Sequence, residues 1–262
     1  MRKASMREFY EEIRQLIEKH AAFVVATIVK VSGSSPRDVG AKMVVFPDGT
    51  VQGTLGGGKL EAQVIQDAKE CLRRRAPALS SYALSAEGLG MKCGGAVEVY
   101  FEPVNPPARL VIFGGGHVGR AIARLAPSAG FAVEVVDDRP EHLDASAFPS
   151  TVGLVATDAL FREGYRPLST EDFAVVVTRD AGTDADLAGR HAATCAYVGV
   201  MGSQTKRAYM KRILASGGIR EEDFERIRCP MGVDIGADTP DEIAVSVLAE
   251  MIAVRGARRG AA

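Results

Sequence analysis

Histidine and cysteine are scarce in this 262-residue chain, with four of each. Cys71, Cys93, Cys195 and Cys229 stand far apart and form no Cys-x-x-Cys pair. That argues against a structural zinc site and against a disulfide framework. No histidine stands at metal-ligand spacing, and His-Glu-x-x-His, Gly-x-Ser-x-Gly and the P-loop pattern are all missing. Net charge is only −1, so bulk charge makes no case for nucleic acid or a membrane surface as partner. No apolar run approaches the roughly 18 residues that would mark a membrane span. Met1 to Glu12 mixes both charge signs without an apolar stretch, which excludes a signal peptide and makes the cytoplasm the expected location. Neither an internal repeat nor a low-complexity segment is present.

What is there suits a globular protein, with 47% hydrophobic and 25% charged residues. The chain is organised around Leu110-Val111-Ile112-Phe113 followed at once by Gly114-x-Gly116-x-x-Gly119. An apolar-periodic helix leaves that turn through Val118, Ile122, Leu125 and Ala126, and a second strand, Phe131 to Val136, ends in Asp137. Strand, glycine turn, helix, strand and acid together are the dinucleotide fingerprint in its required setting. Glycines let the backbone approach a phosphate, and helix-terminal N–H groups point at it. The bland alternative is a Rossmann-type domain that keeps its glycines for packing. Asp137 is placed for a ribose hydroxyl, and His117 either touches a ligand or caps the helix.

The fold expected is α/β, a small α+β N-terminal domain plus a C-terminal Rossmann-like doubly wound parallel sheet. The domain boundaries expected are 1–104, a stiff linker at 105–108 carrying Asn105-Pro106-Pro107, and 109–262. In the first part, Ser5 to His20 reads as an amphipathic helix. Strands are expected at Phe23 to Val31, Lys42 to Phe46, Thr50 to Leu55, Ser81 to Ser85 and Val97 to Val104, with a helix over Lys59 to Arg75. In the second, strands at Thr151 to Ala156, Phe173 to Thr178 and Tyr197 to Met201 alternate with helices at Asp184 to Ala193, Gln204 to Ala215 and Thr239 to Val254. Ligands of such sheets sit at the carboxyl ends of the strands. One rim therefore gathers Gly114 to Gly119, Asp137, Thr178 to Gly182 and Gly202-Ser203.

Loops on a rigid scaffold carry function more often than strands do, and three loops of the first part stand out. Ser34-Ser35-Pro36-Arg37 sets hydroxyls beside a guanidinium. Gly56-Gly57-Gly58 runs from a strand into a helix, an arrangement that binds anions. Glu61 in that helix's first turn is favoured by the dipole, and this role is as well supported as a ligand role. Cys93, between Lys92 and Gly94-Gly95, has the setting of a reactive or ligating thiolate, an inert side chain being the alternative. Cys71 and Cys195 read as core; Cys229, beside Pro230, is open.

These stretches together resemble the XdhC/CoxI accessory proteins of molybdenum hydroxylases such as xanthine dehydrogenase. The resemblance rests on Ser34 to Arg37 with Gly40-Ala41-Lys42-Met43, on Gly53 to Glu61 and on Cys93-Gly94-Gly95. It extends to Gly114 to Gly119, Asp137-Asp138-Arg139-Pro140, Tyr197 to Ser203 with Lys206-Arg207, and Asp234 to Pro240 with Glu242-Ile243-Ala244. It implies a protein that binds the molybdenum cofactor (molybdopterin), protects it, supports its sulfuration by a cysteine desulfurase and hands it to an apo-hydroxylase, commonly as a homodimer. The cofactor-binding residues it implies are Ser34, Ser35, Arg37, Gly56, Gly57, Gly58, Glu61, Cys93, Gly94 and Gly95. On the rim they are Gly114, Gly116, His117, Gly119, Asp137, Arg179, Gly202 and Ser203, with Cys93 the metal ligand and no catalytic residue. A dinucleotide at the Rossmann fingerprint is a further expectation. Where many relatives carry Thr-His-x-His-x-x-Asp, this chain has Thr178 to Asp184 without histidine, and Arg179 there suggests an anion contact. Gln204 also stands where an arginine is common. The alternative reading is an NAD(P)-dependent oxidoreductase, for which the serine, glycine and cysteine loops have no use.

Overall fold

The structure is a computed structural model that describes residues 6–19, 21–84 and 94–260. The chain forms two compact units that meet in sequence at Pro106 and Pro107, the second running to Arg258.

The first unit is built from α1 (Met6–Glu18), β1 (Phe23–Ser32), β2 (Lys42–Val45), β3 (Val51–Gly53), α2 (Gly58–Arg74), β4 (Ala78–Ala83) and β5 (Ala96–Val104). Its strands form an antiparallel sheet in the order β3-β2-β1-β5-β4. Because side chains alternate along a strand, β1 serves both faces. Val24, Ala26 and Ile28 pack with Leu60, Val64 and Ala68 of α2, whereas Phe23 and Val25 join Val44 beneath Phe9, Ile13 and Leu16 of α1. The register of β1 against β5 shifts between Ile28 and Lys30. Such a bulge turns the strand end, here just before the serine-rich loop.

The second unit contains β6 (Ala108–Phe113), α3 (His117–Leu125), β7 (Phe131–Asp137), β8 (Gly153–Ala156), β9 (Phe173–Val176), α4 (Ala181–Ala192), β10 (Tyr197–Val200), α5 (Gln204–Ser216), α6 (Glu221–Phe224), β11 (Ile227–Arg228) and α7 (Pro240–Gly260). All strand pairs are parallel, in the order β11-β10-β9-β6-β7-β8. The chain winds one way from β6 and the other way from β9, so the strand order reverses between these two. Helices cover both faces. Leu110, Ile112 and Val135 pack against Ile122 of α3 and Val247 and Met251 of α7. Val111, Phe113 and Val136 pack against Leu187 of α4 and Met210 of α5. This two-sided burial explains why β6, β9 and β10 are continuous apolar runs while β1 loses its apolar run at Lys30.

The expected α/β architecture is present. The fourth strand sits at Ala78–Ala83 rather than Ser81 to Ser85, pairing Leu79 with Tyr100 and Tyr82 with Val97. Helix α4 begins earlier than expected because Asp180 caps it, accepting from the Thr183 N–H at 2.7 Å. Short elements without periodicity escape the sequence: α6, the two-residue β11, and 3-10 turns at Ala126–Ala129, Pro140–His142 and Ala145–Ala147. Cys71 and Cys195 are core residues, and Cys229 is buried as well, preceding a cis peptide to Pro230. Burial pushes the Cys195 thiol up to about 12. Among the described residues no helix is long and apolar enough to cross a membrane.

At the end of the parallel sheet away from the glycine turn, buried Arg109 ties three strands together. Its guanidinium donates to Glu134 at 2.7 and 3.1 Å, to the carbonyls of Arg166 and Pro167 at 3.1 and 3.4 Å, and to Asp172 at 3.5 Å. Replacing Arg109 by alanine leaves the buried Asp172 carboxylate with the Ser169 N–H and hydroxyl and with Arg166 at 3.9 Å, and is expected to cost about 2 kcal/mol in a urea titration, the scale of lost charged hydrogen bonds. A loss below about 1 kcal/mol, the scale of an exposed pair, would show that this network is not a brace.

Candidate functional site

In the first unit the structure brings the three loops together. A Cβ on Gly95 would lie 2.6 Å from the Ser32 carbonyl oxygen and overlap that of Ser34, and one on Gly56 would overlap the Pro36 ring. The serine-rich loop is thus wedged between the triple-glycine turn and Gly94-Gly95, and only glycine permits the contact. Ser35 closes its own turn, donating to the Arg37 carbonyl at 2.9 Å. Ser34 and Gly94 are exposed, and Gly57 and Gly58 line the start of α2. Cys93 precedes Gly94 in the sequence and lies outside the described residues.

Glu61 has a defined role here. Its Oε1 accepts from the Thr54 hydroxyl at 2.5 Å and from the N–H groups of Leu55 and Gly57, both at 2.9 Å. The carboxylate braces the triple-glycine turn from inside. By contrast the half-buried guanidinium of Arg37 makes no hydrogen bond or ion pair with any described residue. A guanidinium carries five N–H donors in a planar fork, so this loop cluster offers unspent donors to an oxyanion.

The rim of the second unit collects the expected residues at the carboxyl ends of the parallel strands. Gly114 donates to the Val136 carbonyl at 2.9 Å, and Gly119 is buried on α3. Gly116 is the N-cap of α3 without a side-chain cap, and His117, the first helical residue, is exposed. Asp137 turns inward instead. It accepts from Gly115 N–H at 2.7 Å, from Arg139 N–H at 2.9 Å, and from the Arg139 guanidinium twice at 3.0 Å. Burial pushes this carboxyl up, but the Arg139 guanidinium and the two N–H groups outweigh burial and hold it below its ordinary value. Arg179, expected to contact an anion, pairs with Asp138 at 3.0 Å.

The last stretch of the rim serves the fold. Ser203 caps α5, accepting from the Lys206 N–H at 3.3 Å, and Gly202 lies against the Lys206 stem. Sequence reasoning missed the pair behind them. Fully buried Asp184 accepts from the Thr178 hydroxyl at 2.6 Å and is ion-paired with Lys206, which also donates to the Met201 carbonyl at 2.7 Å. The signal was available. A lysine in the first turn of a helix opposes the dipole, and on this topology the carboxylate in the first turn of α4 falls on the same rim. Among the described residues no group of histidine, cysteine, aspartate and glutamate could hold a metal ion.

Known proteins share both units. The chain matches the family described as the XdhC Rossmann domain over residues 110–251 and the XdhC and CoxI family over residues 16–83. YqeB of Escherichia coli (strain K12) is 35% identical over 94% of this chain, which spans 46% of that protein and so less than half its length. A Bacillus subtilis (strain 168) protein, named as a probable subunit of xanthine dehydrogenase, is 25% identical, over 95% of this chain and 98% of its own. The molybdenum cofactor insertion chaperone PaoD of Escherichia coli (strain K12) is 24% identical, over 88% and 83%. A crystal structure described as a xanthine dehydrogenase from Bacillus halodurans shares the fold with a TM-score of 0.51 at 23% identity, covering 95% of this chain and 96% of that one.

The inward carboxylate gives a prediction with a sign. Because the native value of Asp137 is lowered, its stabilisation is present above the unfolded value of 3.8 and is lost as pH falls through the native value. Asp137→Asn is expected to lower stability by about 1–3 kcal/mol near neutral pH, the scale of a buried charged hydrogen bond, and to flatten the acid limb of a stability–pH profile from urea unfolding. An acid limb as steep as the wild type's would show that Asp137 does not titrate with folding.

Proposed function

The chain belongs to the XdhC and CoxI family, and on that premise we propose that it is a molybdenum cofactor-binding accessory protein. In this reading it protects the cofactor, supports its sulfuration by a cysteine desulfurase and delivers it to an apo molybdenum hydroxylase of the xanthine dehydrogenase type. It does so in the cytoplasm and as a homodimer. The names of two relatives support the reading, one a molybdenum cofactor insertion chaperone and the other a probable component of xanthine dehydrogenase.

The cofactor enters as cargo, a pterin bearing a phosphate and a dithiolene-bound metal. The observation that carries the proposal is Arg37, a half-buried guanidinium left without a partner among the described residues, on a loop wedged between two glycine turns. Its fork matches a phosphate oxyanion bidentately. Ser34, Gly56, Gly57, Gly58, Gly94 and Gly95 supply hydroxyl and backbone contacts around it, while Ser35 and Glu61 hold the loops in shape. Cys93 is assigned as the thiolate facing molybdenum, a soft ligand for a metal already bound by sulfur. Residues 1–104 are proposed as the cofactor-handling domain. On the rim of residues 109–262, Gly116 and His117 remain open positions for a ligand. Gly114, Gly119, Asp137, Arg179, Gly202 and Ser203 are engaged in holding the fold.

The test is anaerobic. The full chain and its Arg37→Ala and Cys93→Ser variants are produced in a cofactor-making host and assayed for molybdenum and for pterin, read as its fluorescent oxidation product. Wild type is expected to carry both. Arg37→Ala is expected to retain about tenfold less pterin, the change that follows from losing one charged hydrogen bond. Cys93→Ser is expected to retain less of both. A wild-type protein that carries no pterin sinks the proposal, and equal loading of all three removes Arg37 and Cys93 from the site.

A further inference from the structure

A dinucleotide fold places the adenosine ribose between the glycine turn and the acid that ends the second strand, so that the carboxylate meets ribose hydroxyls. In this chain that gap is closed from within. The Asp137 side chain has 0% exposure. An ionised carboxylate has about four acceptor sites, and Asp137 fills them with Gly115 N–H, Arg139 N–H and the Arg139 guanidinium. Acid and glycine turn are bonded directly at 2.7 Å, with no room for a sugar between them.

The segment after Asp137 lies over the turn. A Cβ on Gly115 would overlap the His142 carbonyl oxygen, so Gly115 is buried beneath that residue. The His142 Nδ1 stands 3.3 Å from the Gly115 carbonyl oxygen, and Arg120 donates to the carbonyls of both Gly115, at 2.9 Å, and Glu141, at 3.2 Å. The Arg179–Asp138 pair then runs from the loop after β9 to the loop after β7. Since β6 lies between these strands, the pair spans the carboxyl end of β6, where the glycine turn begins.

We propose that residues 138–142, held by Arg139 and Arg179, form a built-in strap that fills the adenosine half of the fingerprint and excludes NAD(P) from the free chain. The acid of the fingerprint is then a latch for its own glycine turn. The outer fastening is the weaker of the two, because Arg179 is 58% exposed and exposed pairs are screened by salt. Arg139 is the inner fastening, and its removal frees two of the four acceptor sites of Asp137.

The probe is NADH, titrated by fluorescence into the full wild-type chain and into an Arg139→Ala/Arg179→Ala variant whose folding is verified by circular dichroism. A milder Asp138→Asn variant, which removes the outer pair and the 3.6 Å contact of Asp138 with Arg139 but leaves the Asp137–Arg139 bonds, is measured beside it. The expected result is no NADH binding by wild type and binding by the double variant with an affinity about tenfold or more above the limit detectable for wild type, as freed carboxylate acceptors take up ribose hydroxyls. If the double variant does not fold, the expected readout is faster hydrogen exchange of the Gly115 amide in Asp138→Asn than in wild type. Binding of NADH by wild type would overturn the proposal. So would a folded double variant as inert as wild type, or, where Asp138→Asn must stand in, unchanged exchange at Gly115. Pterin loading of the first unit is a separate measurement, so neither result bears on the other.

Discussion

The carboxylate of Asp137 accepts four hydrogen bonds from its own chain, and the rim of the parallel sheet is shaped by that. Two of the donors are backbone N–H groups, one on each carboxylate oxygen, from the turn after β6 and from the residue after Asp138. The bonds therefore fix where the glycine turn stands relative to the end of β7. A buried carboxylate without such donors would carry a large desolvation cost; with them it is held ionised. The same bonds settle the route of Asp138 and Arg139, and through Asp138 the position of Arg179.

The first unit repeats this arrangement with different residues. Glu61, four residues beyond Gly57, reaches back to the N–H groups of Gly57 and Leu55 and to the Thr54 hydroxyl. In both units a glycine-rich turn leads from a strand to a helix, and in both an internal carboxylate satisfies part of what the turn would otherwise offer to an outside anion. A glycine turn is flexible because glycine adopts many conformations, and the carboxylate removes that freedom. The donors left for a ligand differ. In the first unit they include the guanidinium of Arg37, whereas in the second unit Arg139 and Arg179 are already bound to aspartates.

The architecture was legible because its signals are periodic. Apolar runs marked β6, β9 and β10, a stretch rich in Val, Ala, Thr and Ile marked β1, and the glycine spacing between β6 and α3 identified the doubly wound sheet. The failures have physical causes. Strand β4 is half exposed, with only Tyr82 of its six residues buried, so apolar patterning could not set its bounds. In β11, two residues are too few for any period. At the site, residue types showed that Asp137, Arg179 and Ser203 sit on one rim, but not which way they turn. That depends on partners distant in sequence, such as Gly115 for Asp137 and Asp138 for Arg179. The Asp184–Lys206 pair is distant in sequence too, and only the doubly wound topology together with a lysine misplaced at a helix start signals it.

The parallel sheet ends in short strands, four residues in β8 on one side and two in β11 on the other. A long bare edge would present a row of unpaired backbone groups on which another chain could build. Here each outer strand offers too few groups to template a partner, while the buried apolar strands that would aggregate most readily, β6 and β9, lie in the middle. The second unit can therefore carry a nearly all-apolar sheet centre and still resist growing sideways into a fibre.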